Sequence, residues 1–352
     1  MKNKKIKVVD LFCGIGGLTH GFIKEGFDVV AGIDNDPTCK YGYEKNNNNA
    51  TYITKDIADV SAKELDNIFG KCDIRVLVGC APCQPYSRLN LKGKSPEKTI
   101  PLLKYAKLVD EIKPDIVSME NVRGLADKDK NPEFSKFLKV LEKNNYKISY
   151  KVVDTSDYGV PQKRHRLVLL ASRLGDISLI EPTHLGDKKV TVRDAIGQLD
   201  PIKDGEVSEK DSLHRARKLS ALNKKRVIKT PKNGGSSCSW GEDLMLECHK
   251  KPSGKTYRGT VYGRMRWDEP SPTMTTQCIG LGNGRFGHPE QNRAISLREA
   301  ALFQTFPISY KFIDPREKFV VADVAKFIGN AVPVKLGRVI AKSIKNHLYA
   351  IN

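Results

Sequence analysis

Three observations predict a doubly wound α/β fold with a mostly parallel sheet, joined to a smaller irregular domain. Over the first 170 residues, short β-rich runs alternate with helical patterns, the layout of a parallel sheet covered by helices. A glycine-rich turn carrying Gly14, Gly16 and Gly17 follows the first run directly. From about residue 181 to 285 the alternation stops, and the chain becomes polar and rich in Gly, Ser, Pro and Lys.

The elements follow in order. "KIKVVDLF" (5–12) reads as a buried strand, followed by the glycine turn and a helix over about 17–25. "DVVAGID" (28–34) is a second strand, and Asp36-Pro37 then supplies an N-cap and a first-turn proline. "ATYIT" is a third strand. Ser61-Ala-Lys-Glu64 has the form of a capping box opening the next helix. "IRVLVG" (74–79) is the fourth strand. A helix over about 101–112, the strand "PDIVSME" (114–120), a helix near 132–144 and the strands "KISYKVVD" and "RLVLLAS" complete the pattern. Near the C-terminus, "VADVAKFIGN" and "PVKLGRVIAKSIKNHLYA" are amphipathic helical patterns, with Pro333 suited to an opening turn.

At 352 residues the chain can bury a large core and a second domain. No apolar run approaches the roughly 20 residues of a membrane helix. The basic N-terminus lacks the apolar core of a signal peptide. A soluble, cytoplasmic protein is expected, whose eight cysteines remain thiols rather than forming a disulfide scaffold. The formal net charge is +19. Part of it reflects a Lys- and Asn-rich composition, but no acid occurs between Asp211 and Glu242. Arg215, Arg217, Lys218, Lys224, Lys225, Arg226, Lys229 and Lys232 all fall in that window. A polyanion partner and a solvated basic surface both fit it.

The glycine loop suits close approach of backbone to a nucleotide-like ligand, although NAD, FAD, nucleotides and S-adenosylmethionine all use variants of it. Two carboxylates narrow the reading. Asp34 ends strand two, where ribose hydroxyls would sit, and Asp56 ends strand three, where an adenine amino group could be read. Either aspartate alone would equally suit a turn or cap.

"GCAPCQPYS" (79–87) holds a C-x-x-C pair, Cys80 and Cys83, at the carboxyl end of strand four. A redox dithiol belongs early in a compact domain of about 100 residues, and here four strands precede it. A zinc site needs a second ligand pair, and Cys238 with Cys248-His249 has the wrong spacing, so no metal is expected. What remains is one reactive thiol, Cys83, with Cys80 as part of the strand end.

Six motifs in order then give the chain a resemblance over nearly its full length to the cytosine-5 DNA methyltransferases of bacterial restriction-modification systems. They are Asp10 to Gly17, Pro82-Cys83-Gln84, Glu120-Asn121-Val122 and "DYGVPQKRHRLVLL" (157–170). "VYGRMRWDEPSPTMTT" with "SLREAALFQTFP", and "GNAVP" (329–333), complete the set. The resemblance implies a Rossmann-like class I methyltransferase fold that uses S-adenosylmethionine to methylate carbon 5 of a specific cytosine in double-stranded DNA. It assigns addition to ring carbon 6 to Cys83 and stabilisation at ring N3 to Glu120. Arg166 falls at the O2 oxygen, with Gln162 and Arg164 in support. The base that takes the C5 proton is not identified. Base flipping is implied, because a stacked ring exposes neither face.

For the cofactor, similarity places Phe12 against adenine, Asp34 on the ribose and Asp56 on the amino group. Gly14, Ile15, Gly16, Gly17, Asn35 and Ile57 complete the pocket, and Asn330 and Val332 close it. Asn35 departs from the large aromatic or Met usual at its position. Gln84, Ser87, Arg88 and Thr273 are the implied DNA contacts, and the polar stretch 86–99 is a candidate closing loop.

The implied layout is a catalytic domain of 1–180 plus about 310–352, a target-recognition domain of about 181–285 and a hinge of about 286–310. The basic window lies in the recognition region, which favours the polyanion reading. A cognate restriction endonuclease acting independently is the implied partner, although enzymes without one look the same. The family is commonly monomeric. A tRNA methylating branch has the same chemistry but carries a Cys-Phe-Thr tripeptide absent here. A non-catalytic DNA-binding relative would not need Cys83, Glu120, Gln162, Arg164 and Arg166 together. A redox dithiol predicts equal loss of function from Cys80→Ser and Cys83→Ser. A single nucleophile predicts abolition only at Cys83, and parallel methyl-transfer assays of the two variants decide between them.

Overall fold

The computed structural model describes residues 4–82, 100–251 and 259–351. Its centre is a seven-stranded sheet of β1 (Ile6–Leu11), β2 (Asp28–Asp34), β3 (Thr51–Thr54), β4 (Ile74–Gly79), β5 (Ile116–Val122), β6 (Lys147–Asp154) and β7 (His165–Ser172). The strand order is β3-β2-β1-β4-β5-β7-β6. β3, β2, β1, β4 and β5 run parallel, and β7 is inserted antiparallel between β5 and β6. The chain reverses direction across the sheet at β1, so the carboxyl ends of β1, β2 and β4 open onto one crevice.

Strict alternation along the central strands makes both faces of the sheet apolar. Val8, Val76, Val78, Val168 and Leu170 face α1 (Gly17–Lys24) and α11 (Val334–Ala350). Val9, Leu77, Leu167 and Leu169 face α3 (Ala62–Phe69), α4 (Ile100–Ile112) and α5 (Pro132–Lys143). β6, at the edge, is only partly covered and leaves Tyr150 and Val152 exposed. Between β2 and β3, Asp36 accepts from the Thr38 amide and Pro37 opens a short turn into α2 (Lys40–Asn46). The expected capping box at Ser61 forms by half. Its hydroxyl accepts from the Glu64 amide at 3.2 Å, but the Glu64 carboxylate turns to Lys55 at 2.7 Å instead of reaching back.

Beyond β7 the described residues contain no strand. Short helices α6 (Val192–Ile196), α7 (Ala221–Lys229) and α8 (Glu247–Lys250) punctuate irregular chain before α9 (Leu297–Phe303) and α10 (Val321–Asn330). Val192, Leu213, Met265, Met274 and Ile295 from this stretch join the same apolar cluster as α1 and α11, while Val227, Leu281 and Ala294 form a small separate one.

Without ladders, the irregular backbone needs other donors, and buried or half-buried guanidinium groups supply them. Arg264 is 1% exposed and donates to the carbonyls of Thr230 (3.0 Å), His288 (2.9 Å), Gln291 (2.6 Å) and Val227 (2.7 Å), and to Asn292 Oδ1 (2.6 Å). Arg285 donates to Gly259, Gly234 and Arg264 carbonyls. Arg293 forms a two-pronged buried pair with Glu299 at 2.7 and 2.8 Å. Burial would raise the Glu299 carboxyl, but the Arg293 charge overcomes it and brings the group down to about 2. No helix among the described residues is long and apolar enough to cross a membrane.

Arg264→Lys keeps the charge but cannot span five acceptors, so unfolding free energy should fall by about 3 kcal/mol or more. Urea unfolding monitored by tryptophan fluorescence measures this. An unchanged midpoint would mean that the carbonyls find other partners.

Candidate active site and cofactor cavity

A cavity of about 330 Å³ opens at the carboxyl ends of β1, β2 and β4. β1 ends in Phe12, which has a left-handed backbone (φ 60°) and donates its amide to the Ile33 carbonyl at 2.7 Å. A non-glycine residue held there costs on the order of 1 kcal/mol, and such strain clusters at functional sites. Phe12, Ile33, Ile57, Phe327 and Val332 form apolar walls. The polar wall is unusually acidic, with Asp10, Asp34, Asp36 and Asp56 all present.

Asp34 accepts from the Gly14 amide at 2.9 Å and the Asp36 amide at 3.0 Å. Burial raises its carboxyl, and these amides only partly offset that. Against the effect of burial, Lys326 at 2.7 Å holds Asp36 below its ordinary value. Asp56 accepts from the Ala58 amide at 2.8 Å and from Asn35 Nδ2 at 3.3 Å. Asn35, the departure noted in the sequence, therefore lines the cavity as a polar brace for Asp56 rather than as a stacking surface. The two cationic linings, Lys55 and Lys326, are neutralised by Glu64 and Asp36.

Asp10 is 1% exposed; the Thr19 hydroxyl donates to its Oδ2 at 2.6 Å, and its Oδ1 has no hydrogen-bond partner. Burial, reinforced by the nearby Asp34 charge, pushes its carboxyl up to about 7. An acceptor without a partner in an acidic, half-apolar cavity fits a ligand with an aromatic base at one end and positive charge at the other. Sequence reading did not single out Asp10 as a ligand contact. The available signal was a carboxylate among the buried apolar residues at the end of β1.

Most of the expected cofactor residues line this cavity: Phe12, Gly14, Ile15, Asp34, Asn35, Asp56, Ile57, Asn330 and Val332. Gly16 and Gly17 do not. Gly16 (φ 90°) begins α1, where a side chain would meet Asn47 and Tyr43. At Gly17 a Cβ would lie 2.2 Å from the Val332 carbonyl oxygen. Both glycines are required for packing directly behind the cavity.

The far wall reaches Cys80, Ala81 and Pro82, directly before Cys83. Cys83, Gln84, Ser87 and Arg88, with the 86–99 loop, lie outside the described residues. Beside that wall Glu120 on β5 is 2% exposed and accepts from the Cys80 thiol at 2.8 Å. Arg166 Nε stands 3.0 Å from Glu120 Oε1. Arg166 is opposite Val122, and Glu120 is opposite Val168, so the two side chains share a face diagonally across the antiparallel pair. Cys80 is thus more than a strand end, because it helps orient Glu120; serine at this position would keep a donor. Asn121, fully buried, donates from Nδ2 to the Ala81 carbonyl at 3.0 Å and anchors the segment that leads to Cys83. The other buried thiols at the cavity, Cys13 and Cys39, are pushed up by burial and stay neutral.

Gln162 and Arg164, implied as support for the catalytic groups, are hydrogen-bonded into the scaffold. Gln162 accepts from the Met274 amide at 2.7 Å and donates to Gln304 Oε1 at 2.9 Å and the Phe303 carbonyl at 3.1 Å. Arg164 donates to the carbonyls of Met274 (2.7 Å) and Gly329 (3.3 Å). Both are buried in the scaffold, and Glu120 is met by Arg166. Thr273, half-buried, donates its hydroxyl to the Lys163 carbonyl at 2.7 Å. Within the basic window Arg226 is buried and donates to the Leu244 carbonyl, while Arg217, Lys218, Lys225, Lys229 and Lys232 are exposed.

A parallel sheet with one reversed strand, an acidic cavity at its carboxyl edge and a buried Glu–Arg pair beside it define a Rossmann-like class I methyltransferase. The C-5 cytosine-specific DNA methylase family matches residues 6–346. The Type II methylase M.HgiDII of Herpetosiphon aurantiacus is 51% identical over 345 residues, spanning 98% of this chain and 96% of that protein. The Type II methyltransferase M.PspPI of a Psychrobacter strain is 32% identical, over 99% of this chain and 81% of its own. A solved structure of the Entamoeba histolytica methyltransferase EhMeth superposes with a TM-score of 0.66 at 16% identity, covering 98% of this chain and 99% of the other. The chain belongs to the C-5 cytosine-specific DNA methylase family, and S-adenosylmethionine is its methyl donor.

Asp10 is above its unfolded value of 3.8 in the folded state, so its share of stability declines as pH rises from about 4 to about 7. A cationic cofactor favours the ionised form. Its affinity should therefore rise several-fold from about pH 6 to about pH 8, and Asp10→Asn should flatten that rise. Calorimetric titration checks both, and a pH-independent wild type would separate Asp10 from the cofactor.

Proposed function

We propose that this cytosine-5 DNA methyltransferase acts through a covalent adduct of Cys83 and is the modification enzyme of a restriction-modification system. The observation that carries the reading is the buried Glu120, held by Arg166 at 3.0 Å and Cys80 at 2.8 Å, on the cavity side that leads into Cys83. When bound, S-adenosylmethionine supplies an electrophilic methyl group on a sulfonium. Cytosine C5 is too weak a nucleophile to accept it unaided. Addition of the Cys83 thiolate to C6 forms an S–C bond and pushes the ring electrons toward C5. Glu120 meets the ring at N3, where negative charge develops, and Arg166 fixes Glu120 and offers a donor toward O2. After C5 carries the methyl group, loss of its proton lets the ring electrons expel the Cys83 sulfur. The ring has to leave the duplex for this, so base flipping belongs to the reading.

Asp34, Asp56 and Asp10 would hold the ribose, adenine and amino groups of the cofactor. Gln162 and Arg164 act as positioning residues that join the sheet to 273–276 and 329–331. Residues from about 181 to 285 serve as the target-recognition region, supported by the exposed cations of the basic window. A cognate endonuclease, a monomeric state and a cytoplasmic setting belong to the same reading. The tripeptide of the tRNA-methylating branch is absent from the sequence, which favours DNA.

Transfer of labelled methyl to unmethylated duplex DNA and, in parallel, to transfer RNA tests the reading. 5-Methylcytosine in DNA is expected. Cys83→Ser should abolish it, and Glu120→Gln should lower kcat by about 10²- to 10⁴-fold with cofactor binding retained. Label confined to RNA, or full activity of Cys83→Ser, would overturn it.

A further inference from the structure

A second cavity, about 470 Å³, lies on the opposite side of α10 from the cofactor cavity. Val321, Ala322 and Ala325 of α10 line it, whereas Lys326, Phe327 and Asn330 of the same helix line the cofactor cavity. Three cations converge on it, Arg215, Arg217 and Lys218, with Thr276 and Gln277 opposite, and no carboxylate is among its lining residues.

These cations differ from the others of the basic window. Lys224 is 3.8 Å from Asp204, and Arg226 is spent on a buried carbonyl. Arg215, Arg217 and Lys218 join no ion pair among the described residues. Arg215 is nonetheless held in place, with its guanidinium 3.9 Å over the Phe319 ring and its Nε donating to the Ser212 carbonyl at 2.7 Å. That leaves its terminal nitrogens presented without partners on a fixed stem, an arrangement that reduces the ordering cost of binding an anion. α10 begins at this cavity with no side-chain cap on its first amides, so its N-terminus adds donors and positive potential, to which Asp323 in the first turn is the one acidic neighbour on the helix.

The geometry points to this cavity as a grip for a backbone phosphodiester of the substrate DNA, made by Arg215, Arg217 and Lys218 with the first turn of α10. The inference rests on DNA being the substrate and adds a sequence-independent anchor beside the recognition region. Phosphate contacts fix register on the duplex, and each one lost reduces the salt dependence of binding by about one unit of slope.

The test uses the full chain with Arg217→Gln and Lys218→Gln together, both exposed and outside every packing contact described. Duplex DNA binding is measured across a salt series, with cognate and scrambled duplexes. The expected result is weaker binding to both duplexes by a similar factor, roughly ten-fold or more at low salt, and a slope shallower by about 1. KM for DNA rises while kcat and cofactor affinity stay at wild-type values. Arg217→Lys with Lys218→Arg should restore affinity. An unchanged slope, a loss restricted to the cognate duplex, or equal displacement of DNA from wild type and variant by inorganic phosphate would overturn the inference. If the wild type binds DNA without methylating it, the catalytic reading fails while the salt series still decides the grip.

Discussion

The buried guanidinium of Arg164 is the contact on which the arrangement of this protein depends. It leaves the segment just before β7 and donates to Met274 and Gly329, so one side chain joins the edge of the sheet, the irregular chain at 274 and the last turn of α10 beside the cofactor cavity. Gln162 and Gln304 run alongside, and Gln304 extends the link to the carbonyls of Ile328 and Ala331 at 2.6 and 3.0 Å. Main-chain carbonyls buried away from water require donors, and removal of such a donor costs more than the bond itself contributes. The tether therefore holds three sequence-distant segments in one geometry, although it touches neither reacting atom.

The same principle governs the irregular third of the chain. This stretch has no strands among its described residues, so its loops leave carbonyls without ladder partners. Arg264, Arg285 and Arg293 fill that need from inside. Some of the chain's excess positive charge is therefore structural, and only the cations left outside these networks can meet a polyanion. A net charge taken from composition merges these two populations; burial separates them.

At the catalytic side, charge is managed by pairing rather than by exposure. Glu120 lies in an almost fully buried position that a lone carboxylate would occupy at high cost. Arg166 across the strand pair and the Cys80 thiol at the end of β4 make that position tenable, and they fix where the carboxyl points. Asp10 has no cation beside it: Thr19 satisfies one of its oxygens and the other has no hydrogen-bond partner.

Much of this was legible in the sequence. Period-two alternation in "IRVLVG" and "RLVLLAS" determined which residues face which helical layer, because a strand has only two sides. The glycine turn, Asp34 and Asp56 announced a nucleotide-type cavity, because their positions at strand ends are set by local chain direction. Ordered motifs also marked Glu120 and Arg166 as site residues, although not their ion pair with each other. Tertiary structure alone decided that Gly16 and Gly17 serve packing, that Arg164 and Gln162 belong to the scaffold, and that Asp10 carries an oxygen without a partner. It also decided which cations of one basic window are buried clips and which converge on a cavity beside α10. The most consequential of them depend on contacts between residues 100 or more positions apart, such as Arg164 with Met274, and local pattern carries no record of which distant carbonyl a side chain will reach.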